Sequence, residues 1–320
     1  DFCLSRGLGD VYKRQLMNKS AKKQLTKALL VLIILVSGYF YTTYFDNENI
    51  TKDVTTNVKQ TINESTSNLK IYFVDVGQAD CILINDNNEY SLIDAGNNED
   101  GEKLVKYFKD LGITKFKYVF GTHAHEDHIG GMDNIIENFQ IEHFYMPDAI
   151  TTTRTFEEVL DALEEKNIAF ETPKEDENLT FSDTDFKVLH VGKDKKDLND
   201  TSIVLKLTYK NTSYLFMGDA TSSVEKDILD KDIKSDVLKV GHHGSQYSST
   251  ISFLKKVSPK YAIIEVGKNN SYNHPKEVTL KKLEDLGTKI YRTDEDGTII
   301  LTSDGENMSF ETVKTDTNGG

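Results

Sequence analysis

Between Gly121 and Gly131 the chain reads Gly-Thr-His-Ala-His-Glu-Asp-His-Ile-Gly-Gly, so His123, His125, Asp127 and His128 fall within six residues. Imidazole and carboxylate side chains are ligands suited to Zn²⁺, Mn²⁺ or Fe²⁺. An apolar, strand-like run at 118–121 precedes them. In a loop leaving a strand, His123 and His125 can reach one point in space while Asp127 and His128 turn to a second point beside it. Gly130 and Gly131 remove side-chain bulk where such a loop folds back. A solvated surface cluster is the bland alternative, and four ligand-type residues in so short a span weigh against it.

Three further strand ends carry the same kinds of group. Leu92-Ile93-Asp94-Ala95-Gly96 ends in a carboxylate placed to accept a hydrogen bond from the histidine loop. Phe216-Met217-Gly218-Asp219-Ala220 ends in Asp219, a candidate bridge between two metals. Gly241-His242-His243-Gly244-Ser245 follows the run 237–240 and adds two imidazoles. Alone, each aspartate reads as a turn or helix-cap residue. Together with the histidine cluster, in this order, they form a site.

Short β-branched runs alternate with amphipathic segments through most of the chain, and these are the elements that must position the site. Strands are expected at 70–76, 81–84, 90–93, 118–121, 143–146, 186–190, 202–209, 214–217, 237–240, 261–266 and 298–302. Helices are expected at 102–111, 156–166, 222–229, 251–257 and 276–286, each with apolar residues three and four apart. No second linker interrupts the interleaving, so residues 69–313 read as one α/β domain with a short disordered tail, 314–320. Acidic runs such as Glu175-Asp176-Glu177 and Asp294-Glu295-Asp296 read as solvated loops.

The 320 residues include 52 acidic and 38 basic side chains and are 38% hydrophobic, enough for a sizeable core. One long apolar run excludes a polytopic membrane protein, and two cysteines exclude a disulfide framework or a cysteine-rich zinc site. Residues 1–16 resemble translated sequencing adapter, which makes Met17 the better start. Lys19, Lys22, Lys23 and Lys27 then precede an uncharged stretch at 28–45 that is long enough to span a bilayer. This predicts an uncleaved N-in anchor, with a cleaved signal peptide as the second choice, and an extracytoplasmic remainder. The polar segment 46–68 reads as a linker. Setting aside residues 1–45 removes seven bases and two acids, leaving 31 − 50 = −19. Such a surface repels polyanions unless a metal or a local basic patch compensates. Cys81, in an apolar run, reads as a buried core thiol.

These motifs resemble the metallo-β-lactamase superfamily, whose His-x-His-x-Asp-His signature stands here at His123 to His128. Within it, the chain is similar to the soluble domain of the late competence protein ComEC and its stand-alone extracellular relatives. The matching stretches are Asp75-Val76-Gly77-Gln78-Ala79-Asp80, 92–96, Asn199-Asp200-Thr201-Ser202, 217–220, 236–245 and Asn273-His274-Pro275. The resemblance implies a four-layer αββα sandwich with two divalent metal ions, Zn²⁺ or Mn²⁺, at one edge of two sheets. It implies His123 and His125 on one metal, Asp127 and His128 on the other, Asp219 bridging, and one of His242 and His243 completing the second site. His243 is favoured as the ligand, with His242 facing substrate. His274 would lie at the rim as a substrate contact or proton donor. The superfamily places one more metal-binding histidine, usually after glycine, before the bridging aspartate. Here the candidates are His190, which lacks that glycine, and Asp200, so the first metal site is short of one clear protein ligand. His143 has no partner motif and reads as structural.

A hydroxide held between two divalent metals is a nucleophile at neutral pH, and the same metals can clamp the non-bridging oxygens of a phosphodiester. Asp127, His242 and His274 are the candidate catalytic residues, the last two to stabilise developing charge or protonate the leaving oxygen. The expected function is an extracytoplasmic metal-dependent phosphodiesterase or nuclease, with DNA fragments or a cell-wall polymer as substrate and the membrane met through the N-terminal segment. No dedicated protein partner is expected. The net charge of −19 favours a small or wall-bound phosphodiester, as in a phosphorylcholine esterase, over long DNA. A lactone or amide hydrolase on the same metals, and an inactive membrane-tethered binding protein, are the remaining alternatives.

Overall fold

Leu69, Ile71 and Phe73 lie on one side of strand β1 (Leu69–Phe73), while Tyr72 and the following Val74 lie on the other, and each set enters a different core. This two-residue period is what lets one strand serve two apolar layers. The computed structural model describes residues 68–149, 151–193 and 196–314. The expected adapter, anchor and linker segments lie outside the described residues, as does the tail beyond Lys314. Among the described residues no helix is long and apolar enough to cross a membrane.

One eight-stranded sheet runs in the order β15-β14-β1-β2-β3-β4-β5-β6. Besides β1 it contains β2 (Ile82–Asp86), β3 (Glu89–Ile93), β4 (Lys115–Phe120), β5 (Gln140–Tyr145), β6 (Phe170–Glu171), β14 (Thr298–Ser303) and β15 (Met308–Val313). A seven-stranded sheet runs β13-β12-β11-β10-β9-β8-β7. Its strands are β7 (Asn178–Phe181), β8 (Thr184–His190), β9 (Val204–Tyr209), β10 (Thr212–Phe216), β11 (Val237–Lys239), β12 (Tyr261–Ile264) and β13 (Lys289–Arg292). Phe73, Phe120, Phe186 and Phe216 fill the space between the sheets, each contributing about 1.5–3 kcal/mol by leaving water.

Helices cover the outer faces. Helices α1 (Gly101–Asp110), α2 (Glu126–Ile129), α3 (Met132–Asn138) and α4 (Arg154–Lys166) lie on the first sheet, where Leu104, Phe108, Ile135 and Val159 join Leu83 and Leu92. Helices α5 (Ser222–Asp227), α6 (Ile251–Val257) and α7 (Glu277–Asp285) cover the second through Val224, Phe253 and Leu283. The short α8 (Thr293–Asp296) precedes β14. The result is an αββα sandwich. In the first sheet β3, β4, β5 and β6 are parallel, and in the second β10, β11, β12 and β13 are parallel. Loops leaving the carboxyl ends of β3, β4, β10, β11 and β12 carry the candidate site, the usual place for one in parallel α/β sheets.

The expected strands are present with ends shifted by a few residues. The strands that pattern reading missed, β6, β7, β13 and β15, are short or lie at sheet edges. In β15 the exposed faces carry Ser309, Glu311 and Thr312, so no apolar run marks it.

Candidate metal centre

Local turn chemistry brings the ligand-type residues together. After β4 ends at Phe120, the chain makes one helical turn, α2, so Asp127 and His128 project from a turn while His123 and His125 precede it. The Glu126 carboxylate anchors that turn by accepting from the Asn98 amide at 2.7 Å. Gly130 is required here: a Cβ would come within 2.2 Å of the Asn98 nitrogen. After β11, His242 and His243 both take left-handed backbone angles (φ 52° and 49°), as does Asp94 (φ 60°) after β3. Such conformations cost non-glycine residues on the order of 1–3 kcal/mol each and persist where surrounding structure enforces them.

Asp127, His128, Asp219 and His243 offer ligand atoms that all lie within 4.8 Å of one another. His128 Nε2 is 3.3 Å from Asp219 Oδ1, and His243 Nε2 is 3.3 Å from Asp127 Oδ2 and 3.7 Å from Asp219 Oδ1. The three side chains other than Asp127 are buried. Behind them the opposite ring nitrogens are claimed. His128 Nδ1 donates to Asp94 Oδ2 at 2.7 Å, and His243 Nδ1 donates to the Glu265 main-chain oxygen at 2.9 Å. Because those partners only accept, each Nδ1 carries a proton and each Nε2 faces the cluster. Asp94 also accepts from the Thr122 amide and hydroxyl at 2.8 and 2.7 Å, which ties the loop after β4 to the loop after β3.

The group is electrostatically tense. Burial lowers the His128 proton affinity, but the carboxylates of Asp219, Asp94 and Asp127 overcome it and hold that imidazole well above its usual range. His243 is raised to about 10 against its own burial by Asp219 and Asp80. Asp219 and Asp127 are correspondingly held below the carboxylate range, burial notwithstanding, by the neighbouring imidazoles. Burial and the charge of His128 take His123 well below its usual range. His128 Nε2, His243 Nε2 and Asp219 Oδ1 are buried without a hydrogen-bond partner. Orphaned buried atoms of this kind, converging from nitrogen and oxygen donors, fit a divalent cation, which would displace the Nε2 protons.

The remaining expected residues divide into three groups. His123 Nε2 and His125 Nδ1 are 2.9 Å apart, and the His123 ring lies 4.1 Å from that of His128, so this pair borders the cluster. His242 and His274 stand at the partly exposed mouth, their rings meeting edge-on at 5.6 Å, with His242 Nε2 3.7 Å from Asp219 Oδ2. Burial lowers the proton affinity of both, His274 to about 4 with help from His242 and His243, so at neutral pH they offer N–H donors rather than imidazolium acids. His190 and Asp200 are not among the residues whose ligand atoms converge on Asp219. His190 Nδ1 bonds the Ser202 main-chain oxygen at 2.9 Å, and Asp200 accepts from the Thr221 hydroxyl at 2.5 Å. His143 pairs with Glu171 at 2.9 Å, and Cys81 is buried.

Sequence reading assigned no role to three charged residues beneath the cluster. Asp80, Lys239 and Glu265 are fully or almost fully buried, with Lys239 Nζ 2.6 Å from Asp80 Oδ2 and 4.0 Å from Glu265 Oε2. The available signal was a charged residue inside each of two apolar strand runs, Val237-Leu238-Lys239-Val240 and Ile263-Ile264-Glu265-Val266.

Residues 74–267 match the family model described as the metallo-beta-lactamase superfamily. The chain is 34% identical over 203 residues to ComE operon protein 3 of Bacillus subtilis (strain 168), covering 62% of this chain and 26% of that protein. It is 28% identical over 231 residues to competence protein ComA of Neisseria gonorrhoeae, covering 70% of this chain and 31% of that protein. The chain thus spans less than a third of either relative's length. Among solved structures it is similar to the metallo-beta-lactamase fold protein YhfI from Bacillus subtilis, with a TM-score of 0.53 and 11% identity over 74% of this chain and 100% of that one.

Proposed function

The chain belongs to the metallo-β-lactamase superfamily, and from that membership and the ligand geometry we propose that it is a metal-dependent phosphodiesterase working outside the cytoplasm. The observation that carries the reading is the convergence of His128 Nε2, His243 Nε2, Asp127 and Asp219 Oδ1, three of them buried and without hydrogen-bond partners. Asp127, His128, Asp219 and His243 would hold one divalent cation, and His123 and His125 would hold a second against Asp219. Zn²⁺ and Mn²⁺ both suit these donors. Bound there, such cations supply a nucleophile at neutral pH and offset charge on the phosphate oxygens.

The chain's own residues supply the rest. His242 and His274, at the mouth, donate hydrogen bonds to the phosphate or to the departing oxygen. Asp94 and the Glu265 carbonyl keep the two ligand imidazoles turned inward. One relative is named a competence protein, which favours DNA fragments as substrate. The acidic surface favours short strands over long duplexes, and a cell-wall phosphodiester is the reading that surface would support instead. The extracytoplasmic placement rests on the basic and apolar order of residues 19–45.

The test is hydrolysis of bis-p-nitrophenyl phosphate with Zn²⁺ and then Mn²⁺, with Asp219→Ala as control. Metal-dependent turnover, lost in the variant, is expected. Competition by oligonucleotide against teichoic-acid fragments then distinguishes the two substrates. Turnover of a lactone or lactam with phosphodiesters untouched would overturn the reading in favour of amide or lactone hydrolysis. A protein that acquires no metal would be a tethered binding protein instead.

A further inference from the structure

Lys239 is a fully buried lysine at the end of an interior parallel strand, a position that apolar residues normally hold. Val237 packs between the sheets and Leu238 beneath the helices, so strand alternation sends Lys239 between the sheets. There its ammonium reaches Asp80 Oδ2 at 2.6 Å, on the loop between β1 and β2 of the opposite sheet, and bonds the Val240 carbonyl at 3.2 Å. Burial would strip its proton, but Asp80 and Glu265 hold the amine above its usual range. Burial and the Asp80 charge push the Glu265 carboxyl well above the carboxylate range.

The ion pair touches the candidate metal centre from behind. Asp80 Oδ1 lies 3.3 Å from His243 Nδ1, and Asp80 Oδ2 lies 3.9 Å from His128 Nδ1. Asp80, Asp94 and His128 also form a second group whose ligand atoms lie within 4.8 Å of one another. An unpaired Asp80 would therefore compete for a cation with the front group, or turn towards it. The Lys239 ammonium holds Asp80 Oδ2, the oxygen that lies 3.9 Å from His128 Nδ1.

We propose that Lys239 is a positioning residue for the candidate metal centre: its ammonium pins Asp80, and the charge of the pinned carboxylate, 3.3 Å from His243 Nδ1, supports the proton that Nδ1 donates to the Glu265 carbonyl, so that Nε2 is presented to the cation. The assignment rests on the metal-centre reading above. A plain cross-sheet staple would stabilise the fold without touching metal affinity, and this is where the two roles part.

The test is competitive titration of Zn²⁺ against a chromogenic chelator in the full chain. The wild type is compared with Lys239→Met and with the double variant Asp80→Asn/Lys239→Met, whose neutral pair avoids a buried unpaired charge if the single variant does not fold. Both are expected to bind Zn²⁺ about 10–100-fold more weakly, the double variant no more weakly than the single one, because both substitutions act through one path. In long-range ¹⁵N spectra of the Zn²⁺-bound proteins the His243 proton should sit on Nδ1 in both, with the Nδ1 shift moved in the double variant because the Asp80 charge is gone. Unchanged Zn²⁺ affinity in the double variant, with only a lower unfolding temperature, would overturn the assignment. Absence of Zn²⁺ binding by the wild type is a different result, which would overturn the metal-centre reading itself.

Discussion

Replacing Asp94 by asparagine changes one oxygen to nitrogen in a side chain that is 1% exposed. Asparagine tolerates the positive φ of 60° at this position, so the backbone should hold. Its carbonyl can still accept from the Thr122 amide, but its NH₂ then faces His128 Nδ1, which sits 2.7 Å from the oxygen it replaces. Two donors cannot share that contact. The imidazole moves its proton to Nε2, the atom 3.3 Å from Asp219, and loses the lone pair a cation needs. Loss of such a supporting contact weakens metal affinity about 10–100-fold. With free Zn²⁺ at 100 times the wild-type Kd, the metal should stabilise wild type by about 2.7 kcal/mol, and the variant by only about 0.4–1.4 kcal/mol. Urea unfolding with and without Zn²⁺ reads this difference directly. A variant whose Zn²⁺-dependent stabilisation equals that of wild type would refute the tautomer reasoning, whatever happened to its metal-free stability.

Other consequences are as concrete. Asp236 accepts from the Ser213 amide and hydroxyl at 3.0 and 3.1 Å and pairs with Lys260 at 2.9 Å. Burial is outweighed there and its pKa is lowered, so its stabilising effect is present above the unfolded pKa and lost as pH falls through the folded one. Asp236→Asn should cost about 1–2 kcal/mol at pH 7 and almost nothing near pH 2, measured by urea unfolding at each pH. Gly130→Ala should cost about 1–3 kcal/mol in the same assay and weaken Zn²⁺ binding, because the added carbon drives the histidine loop off Asn98. The Tyr272 ring is 61% exposed and stacks on His274 at 5.7 Å. If bases stack there, Tyr272→Ala raises KM for a short single-stranded oligonucleotide about five- to a hundred-fold and leaves glycerophosphocholine hydrolysis unaffected. Equal effects on both substrates would remove the stacking role.

The parts of the site that are contiguous in sequence were readable from it. His123 to His128 announce themselves because one loop must present several ligands to one place, and Asp94, Asp219 and His243 follow because each ends an apolar run. Of the adjacent pair, His243 is buried and His242 partly exposed. Asp80, Lys239 and Glu265 were not assigned a role, because their meaning comes only from packing across two sheets, with Lys239 and Asp80 159 residues apart. A charged residue within an apolar strand is a signal in hindsight, yet it does not name its partner. The edge strands β7, β13 and β15 were missed for a related reason: one half-solvated face leaves too few apolar residues to show a period. His190 and Asp200 came from the superfamily pattern; His190 Nδ1 bonds the Ser202 main-chain oxygen and Asp200 accepts from the Thr221 hydroxyl.

Anomalous diffraction at the zinc edge, from crystals grown with Zn²⁺, would locate a metal held by Asp127, His128, Asp219 and His243. A peak is predicted within coordinating distance of His128 Nε2, His243 Nε2 and both aspartates, with a second beside His123 and His125. Density only at surface carboxylates, or at the rear group of Asp80 and Asp94, would contradict it.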